Sequence, residues 1–378
     1  MKPLVSVIVP VYNVSNYIEQ CLNSLTNQTM KEIEIIVVDD CGTDDSIAKA
    51  EKLAQRDKRI QIIYNKTNQG LGESRNIGLK HVKTDYVTFL DSDDWLAEDF
   101  CEKLYLACQK ENADIAVSDF IYWYSEEKQN HQWVSNYNFM SGKNIIIDPK
   151  DKQYNIYACS VCGKLYKTEL FIKYNLNFPK GLYYEDVPVT FMTTILANKL
   201  VIVKDTSYLY RQREGSIMAT TKASRKPLHI LKIYELMFDF LNSHKNIEHC
   251  NHYLGILKNF AIFNIYGYYL AVHPIYKDEF WQKMRNLFKK MKIKNNPYVT
   301  PENRKIYNDV RYNNRTLQTI YIKLLGFIPL LKYVKKERSS KLYLFKFIPF
   351  IKIKRKQEKF KLYLFNFIPF IKIKTKYR

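Results

Sequence analysis

Apolar residues fall in two alternating rhythms along the first 117 positions. Continuous apolar runs at 4–9, 33–38, 60–64, 86–90 and 114–117 predict strands buried on both faces. Between them, apolar residues recur three and four apart: Ile18, Cys21, Leu22 and Leu25, then Ile47, Ala50, Leu53 and Ala54. The same spacing continues at 71–81 and 99–112, and it predicts helices. Asn16-Tyr17-Ile18-Glu19 reads as a capping box for the first helix, and Thr43 as the cap of the second. Strands joined by helices of this length require right-handed crossovers. The expected fold is α/β, with a mostly parallel sheet flanked by helices.

Beyond position 117 the rhythm changes. Residues 118–225 are mixed and tyrosine-rich, and 226–320 return to helical spacing, as in Leu228, Leu231, Ile233, Met237 and Leu241. Residues 321–378 form a basic amphipathic repeat tail. Lys341-Leu342-Tyr343-Leu344-Phe345-Lys346-Phe347-Ile348-Pro349-Phe350-Ile351-Lys352-Ile353-Lys354 recurs 20 residues later with one change, Asn366 for Lys346. Four regions are therefore expected: 1–117, 118–225, a helical C-terminal region at 226–320, and the tail.

Charge sharpens the reading of the tail. Of the net +21, residues 321–378 carry +15, from 17 Lys and Arg against Glu337 and Glu358. Each apolar core of about ten residues is too short to span a bilayer. Lysines alternating with large apolar residues suit an anionic membrane surface, where each basic residue contributes ~1 kcal/mol. The alternative is a set of structural repeats packed on the body. Nucleic acid is not expected as a partner, because the Phe-Ile-Pro cores are greasier than its grooves require.

The uncharged stretch 259–276 contains Asn264, Gly267, His273 and Pro274, which predicts a buried helix rather than a membrane span. The short β-branched run at the N-terminus predicts a first strand rather than a signal peptide. Seven scattered cysteines suit a reducing cytoplasm. Cys159-x-x-Cys162 has no second pair beside it and predicts neutral thiols rather than zinc.

Candidate chemistry gathers at strand ends, where parallel sheets bind ligands. Tyr12-Asn13 follows the first strand, Asp39-Asp40 the second and Asp91-Ser92-Asp93-Asp94 the fourth. Three carboxylates in four residues repel one another, and a hard cation such as Mg²⁺ or Mn²⁺ removes the conflict. The same turn can cap a helix starting near Trp95. Gly70-Leu71-Gly72-Glu73-Ser74-Arg75 imitates a dinucleotide fingerprint but follows a third strand and lacks the final glycine, so no Rossmann cofactor site is expected.

Val9-Pro10-Val11-Tyr12-Asn13, Val37-Val38-Asp39-Asp40, Arg75-Asn76-Ile77-Gly78, Asp91-Ser92-Asp93 and Glu185-Asp186 stand in the order and spacing of the family 2 glycosyltransferases. The resemblance covers roughly residues 1–215. It implies a GT-A fold, a nucleotide-sugar donor, a glycan or lipid-linked glycan acceptor, Mn²⁺ or Mg²⁺, and inversion at the anomeric carbon. Pro10 and Tyr12 match the segment lining the donor base, and Asp40, with Asp39, the carboxylate that accepts a base N–H. Arg75 lies where the family contacts the nucleotide. Asp91 matches the ribose- or metal-side carboxylate and Asp93 the direct metal ligand. Asp186 matches the general base, with Glu185 beside it. Arg211 and Arg213, in Tyr210-Arg211-Gln212-Arg213-Glu214-Gly215-Ser216, resemble the stretch that folds over the diphosphate.

Cys41-Gly42 stands where the family more often has Gly-Ser. No Gln-x-x-Arg-Trp motif is present, which favours transfer of single sugars over processive synthesis. An ordinary carboxyl pKa of ~3.9 would leave Asp186 ionised at neutral pH. The expected enzyme is peripheral on the inner face of the cell membrane, serving a capsule, lipooligosaccharide or other surface glycan. A sugar nucleotidyltransferase would need a Gly-rich phosphate loop with a Lys, which residues 9–15 do not supply. A membrane scaffold with a dead transferase domain is disfavoured by intact Asp93 and Asp186.

Overall fold

A computed structural model of the chain describes residues 2–124, 131–133, 145–147, 160–213, 224–313 and the strands given below from position 318 onward. Cys159, positions 214–216, Lys346 and Asn366 lie outside the described residues. The chain divides into two compact units, residues 1–280 with 295–299, and residues 281–294 with 300–378.

The first unit is built on one mixed sheet. β1 (Val5–Val11), β2 (Ile33–Asp39), β3 (Ile60–Tyr64) and β4 (Tyr86–Phe89) pair in parallel in the order β3-β2-β1-β4. The crossovers are α1 (Ile18–Thr26), α2 (Ser46–Arg56) and α3 (Leu71–Leu79). Every residue of β1 is buried, which accounts for its unbroken apolar sequence.

The second half of the sheet is reached differently. β5 (Trp95–Leu96) and α4 (Phe100–Glu111) lead to β6 (Ile115–Trp123), which continues unbroken through position 117. β6 does not lie beside β4. Between them runs β9 (Lys164–Lys167), antiparallel to both. β10 (Leu200–Arg211) then pairs in parallel with β6 and antiparallel with β5. Two short strands, β7 (His131–Trp133) on β6 and β8 (Ile145–Ile147) on β10, complete the sheet. The polar turn after β4 is thereby carried against the end of β10, 117 residues away in sequence.

Three local expectations are corrected. Neither Asn16 nor Thr43 caps a helix: α1 starts after Tyr17 without a side-chain cap, and α2 starts after Asp45. The Thr43 amide instead donates to Asn13 Oδ1 at 2.7 Å. No helix begins near Trp95, because that residue pairs with Leu209 in β5, and α4 begins at Phe100.

The helical region holds α7 (His229–Ser243), α8 (Cys250–Ala271), α9 (Lys277–Lys290) and α10 (Pro301–Arg311), after α5 (Glu169–Lys173) and α6 (Asp186–Leu196). In the first unit α7 packs on both α6 and α8. Among the described residues no helix is long and apolar enough to cross a membrane. In the second unit, Phe288 stacks on Tyr307, whose hydroxyl donates to the Met291 carbonyl at 2.5 Å.

The tail forms a six-stranded antiparallel meander: β11 (Gln318–Leu324), β12 (Ile328–Lys336), β13 (Ser339–Leu344), β14 (Ile348–Lys356), β15 (Lys359–Leu364) and β16 (Ile368–Lys374). Its period-20 repeat is one hairpin. The register sets Lys341 opposite Lys352 and Leu342 opposite Ile351, and again Lys361 opposite Lys372 and Leu362 opposite Ile371.

Candidate active site

The strand-end loops interlock. Asn13 (φ 51°) and Cys41 (φ 58°) both take left-handed backbone, and a Cβ on Gly42 would stand 3.0 Å from Asn13 Oδ1. Glycine at 42 permits this approach. Pro10 is buried in β1 opposite Val38, whereas Tyr12 is 49% exposed.

The adjacent carboxylates Asp39 and Asp40 have different partners. Asp40 is buried and accepts from the Gln69 amide at 2.7 Å, the Gly70 amide at 2.8 Å and Asn65 Nδ2 at 2.9 Å. It therefore anchors the 65–70 loop and occupies the positive N-terminal end of α3. The Gly-rich stretch binds a protein carboxylate there, not a phosphate. Asp39 keeps one oxygen on the Cys41 amide at 3.0 Å and is half-buried. Burial, with Asp40 beside it, pushes its carboxyl above the ordinary range. Of the pair, Asp39 is the one with acceptor capacity to spare.

The acidic turn faces two arginines. Arg213 Nε donates to Asp93 Oδ2 at 2.8 Å, and Arg211 Nε to the Asp93 carbonyl at 2.8 Å. The Arg211 guanidinium lies 4.5 Å from the Trp95 ring and 5.0 Å from Trp123 and Tyr17, and it also donates to Gln20. Asp94 is internal, taking the Tyr208 hydroxyl at 2.5 Å and the Arg211 amide at 2.8 Å. Burial and the neighbouring Asp93 hold its carboxyl well above the usual range. Asp94 is thus the tether that brings Arg211 to the turn.

On the other side stands Arg75, 2% exposed. Its NH2 donates to Asp91 Oδ1 at 2.7 Å and its NH1 to Glu185 Oε1 at 2.6 Å. Burial opposes the charge, but Asp91 and Glu185 outweigh it and hold the guanidinium firmly protonated. α3 grips the Glu185 segment at two further points. Asn76 donates to the Phe178 carbonyl at 2.9 Å and accepts the Phe178 amide at 2.7 Å, and Gly72 leaves room for Glu185. A Cβ at Gly78 would stand 2.5 Å from Ile8, so that glycine lets α3 sit close on β1.

Asp186 opens α6, two residues after Tyr184, which takes left-handed backbone (φ 67°). Burial and the adjacent Glu185 push its carboxyl up to about 7, against the lowering pull of Arg75. The ordinary carboxyl pKa expected for it is therefore corrected: this side chain titrates near neutrality. From behind, the Tyr183 amide donates to His229 Nδ1 at 3.1 Å, and the Tyr184 ring meets Tyr268 edge-on at 5.0 Å.

Asp91 and Asp93 suit a hard cation. Both are oxygen donors, and Asp93 is pushed up by burial and by Asp91, a conflict that positive charge relieves. Among the described residues no three metal-ligating side chains converge. Two carboxylates plus substrate phosphates are an ordinary Mg²⁺ site.

The parts played by Tyr208, Trp95 and Trp123 escape a reading of the sequence, as do the particular partners of Asp94 and Asn76. Asp94 carries a signal as the third acid of its turn. Tyr208, Trp95, Trp123 and Asn76 depend on partners far away in sequence, Tyr208 on Asp94 at 114 positions and Asn76 on Phe178 at 102.

A parallel β-α half carrying a strand-end acidic turn, joined through Arg75 to the Glu185-Asp186 segment, defines a GT-A glycosyltransferase fold. The crystal structure of residues 1–349 of Staphylococcus aureus TarS, in complex with UDP-GlcNAc, has this fold: the TM-score is 0.67 at 23% identity, covering 89% of this chain and 97% of that one. The family model "Glycosyl transferase family 2" matches residues 6–174. Glycosyltransferase GlyG of Streptococcus pneumoniae is 32% identical over 227 residues, 58% of this chain and 74% of GlyG. The uncharacterized glycosyltransferase EpsJ of Bacillus subtilis is 30% identical over 273 residues, 68% of this chain and 78% of EpsJ. The chain belongs to the family 2 glycosyltransferases, and it is an enzyme of glycosyl transfer.

Proposed function

We propose that the protein moves one sugar from a nucleotide-sugar, a UDP-sugar in the first instance, to a hydroxyl of a surface-glycan acceptor with inversion. The observation that supports this reading is the Arg75 bridge, which joins Asp91 of the acidic turn to Glu185, the neighbour of Asp186. Tyr12, Pro10 and Asp39 are the donor-base side. Asp93 and Asp91 would hold Mn²⁺ or Mg²⁺, which when bound neutralises charge developing on the diphosphate. Arg211 and Arg213 stand beside Asp93 to meet the diphosphate through their planar forks. Asp186 accepts the proton of the attacking hydroxyl, and a carboxyl titrating near 7 is well matched to that task.

The donor choice is supported by TarS, named as a poly(ribitol-phosphate) β-N-acetylglucosaminyltransferase and crystallised with UDP-GlcNAc. Inner-face membrane association through residues 321–378 is proposed on the tail's charge, with a capsule or lipooligosaccharide as acceptor. The test is a panel of UDP-, GDP- and CMP-sugars with Mn²⁺ or Mg²⁺ and a glycan acceptor. Release of UDP with an anomerically inverted product is expected. Pyrophosphate formed from a sugar phosphate and a nucleoside triphosphate would replace this reading with a nucleotidyltransferase.

A further inference from the structure

We infer that Arg75 is a positioning residue: it fixes the spacing between the donor-side carboxylate of Asp91 and the base-bearing Glu185-Asp186 pair, and it does not contact the nucleotide. The inference rests on the reading of Asp186 as the general base.

Both terminal nitrogens of Arg75 are committed, at 2.7 Å to Asp91 and 2.6 Å to Glu185. A fully buried arginine is tolerated when paired, and its planar fork then dictates where its two acceptors sit. The Phe178 ring, 5.4 Å from the guanidinium carbon, occupies a further side. The Arg75 Nε has no hydrogen-bond partner among the described residues but is itself buried, so the two committed terminal nitrogens carry the contacts that Arg75 makes.

α3 is shaped to the same end. Gly72 admits the Glu185 side chain to 3.0 Å of where a Cβ would be, and Asn76 holds Phe178 by both backbone groups. Over little more than one turn, the helix therefore grips the base segment at three points, and Arg75 alone reaches on to the acidic turn. Asp91 and Glu185 lie 94 positions apart in sequence, and one side chain sets their separation. Misplacing a base by about 1 Å can cost ~10²-fold in rate without weakening ground-state binding.

The experiment compares Arg75→Lys and the double variant Arg75→Met/Glu185→Gln with wild type, measuring the Kd for UDP with Mn²⁺ by calorimetry and kcat at saturating UDP-sugar. The double variant removes the carboxylate that would otherwise be left buried without a partner. Positioning predicts UDP affinity within about threefold of wild type and kcat lower by ~10²-fold in both, with no rescue by lysine, a point charge that cannot hold two carboxylates apart. A tenfold or greater loss of UDP affinity, whatever kcat does, makes Arg75 a nucleotide contact and overturns the inference. Wild-type kcat in either variant overturns it too, and so does failure of both to fold, which would make the bridge a requirement of the fold. Asp186→Asn is the separate control: if it keeps wild-type turnover, the base assignment fails independently of Arg75.

Discussion

Arg213 Nε lies 2.8 Å from Asp93 Oδ2, the carboxylate oxygen that a divalent cation would also seek. The pair is partly exposed and joined by a single charge-assisted bond, so it can exchange partners. Arg213 thus supplies positive charge to Asp93.

Arg213→Ala should act in opposite directions on the two ligands. Without nucleotide, Mn²⁺ should bind a few-fold tighter, because Asp93 loses its competing partner. UDP with Mn²⁺ should bind ~10-fold weaker, the loss of about one charge-assisted hydrogen bond. Calorimetric titration of each ligand checks this; weakening of both would make Arg213 a support for the turn.

Asp39 and Asp40 should separate cleanly. Asp40→Ala strips acceptors from two amides and Asn65 and should cost ~2–4 kcal/mol of stability, read by chemical denaturation. Asp39→Ala should stay within about 1 kcal/mol of wild type and instead weaken UDP binding. The reverse pattern would give Asp40 the base contact.

The same two residues show what the sequence could and could not reveal. Both end an apolar strand that is legible because β2 is buried on both faces, as are β1 and β4. Which of the pair turns inward depends on amides 29 and 30 residues away, and no local pattern encodes that. The sequence marks Arg75 as a site residue but not its burial or its bridge, because arginine is normally exposed and its two partners lie 16 and 110 positions away. β9 is only four residues long, sets Leu165 and Tyr166 between two lysines and follows a weakly periodic stretch, so the antiparallel insertion escaped the rhythm that marks the parallel half. At Thr43 the expected cap gives way to loop interlocking, its amide donating to Asn13 Oδ1.

Asp186 gives a pH signature. As the ionised base it should make kcat/KM climb about tenfold per pH unit below a midpoint of about 7 and level off above it. Asp186→Asn should lose ~10²–10⁴-fold. The folded-state pKa lies above the unfolded one, so the native protein binds this proton more tightly and loses stability as pH rises from the unfolded pKa towards 7. Asp186→Asn should therefore raise Tm relative to wild type more at pH 8 than at pH 5, and an equal shift at both would contradict the assignment.

Deleting residues 321–378 should release the protein from vesicles containing anionic phospholipid, with turnover of a soluble acceptor changed less than about threefold. The +15 charge of this segment makes the attachment electrostatic, so high salt should mimic the deletion. Unchanged co-sedimentation of the truncated protein would place the attachment elsewhere.

The most direct measurement is a calorimetric titration of UDP into wild-type protein and Asp93→Asn, each with and without Mn²⁺. Binding that needs the cation in wild type and is lost in the variant is the predicted result. Equal UDP affinity in all four titrations would contradict the claim that the strand-end carboxylates hold the donor through a metal.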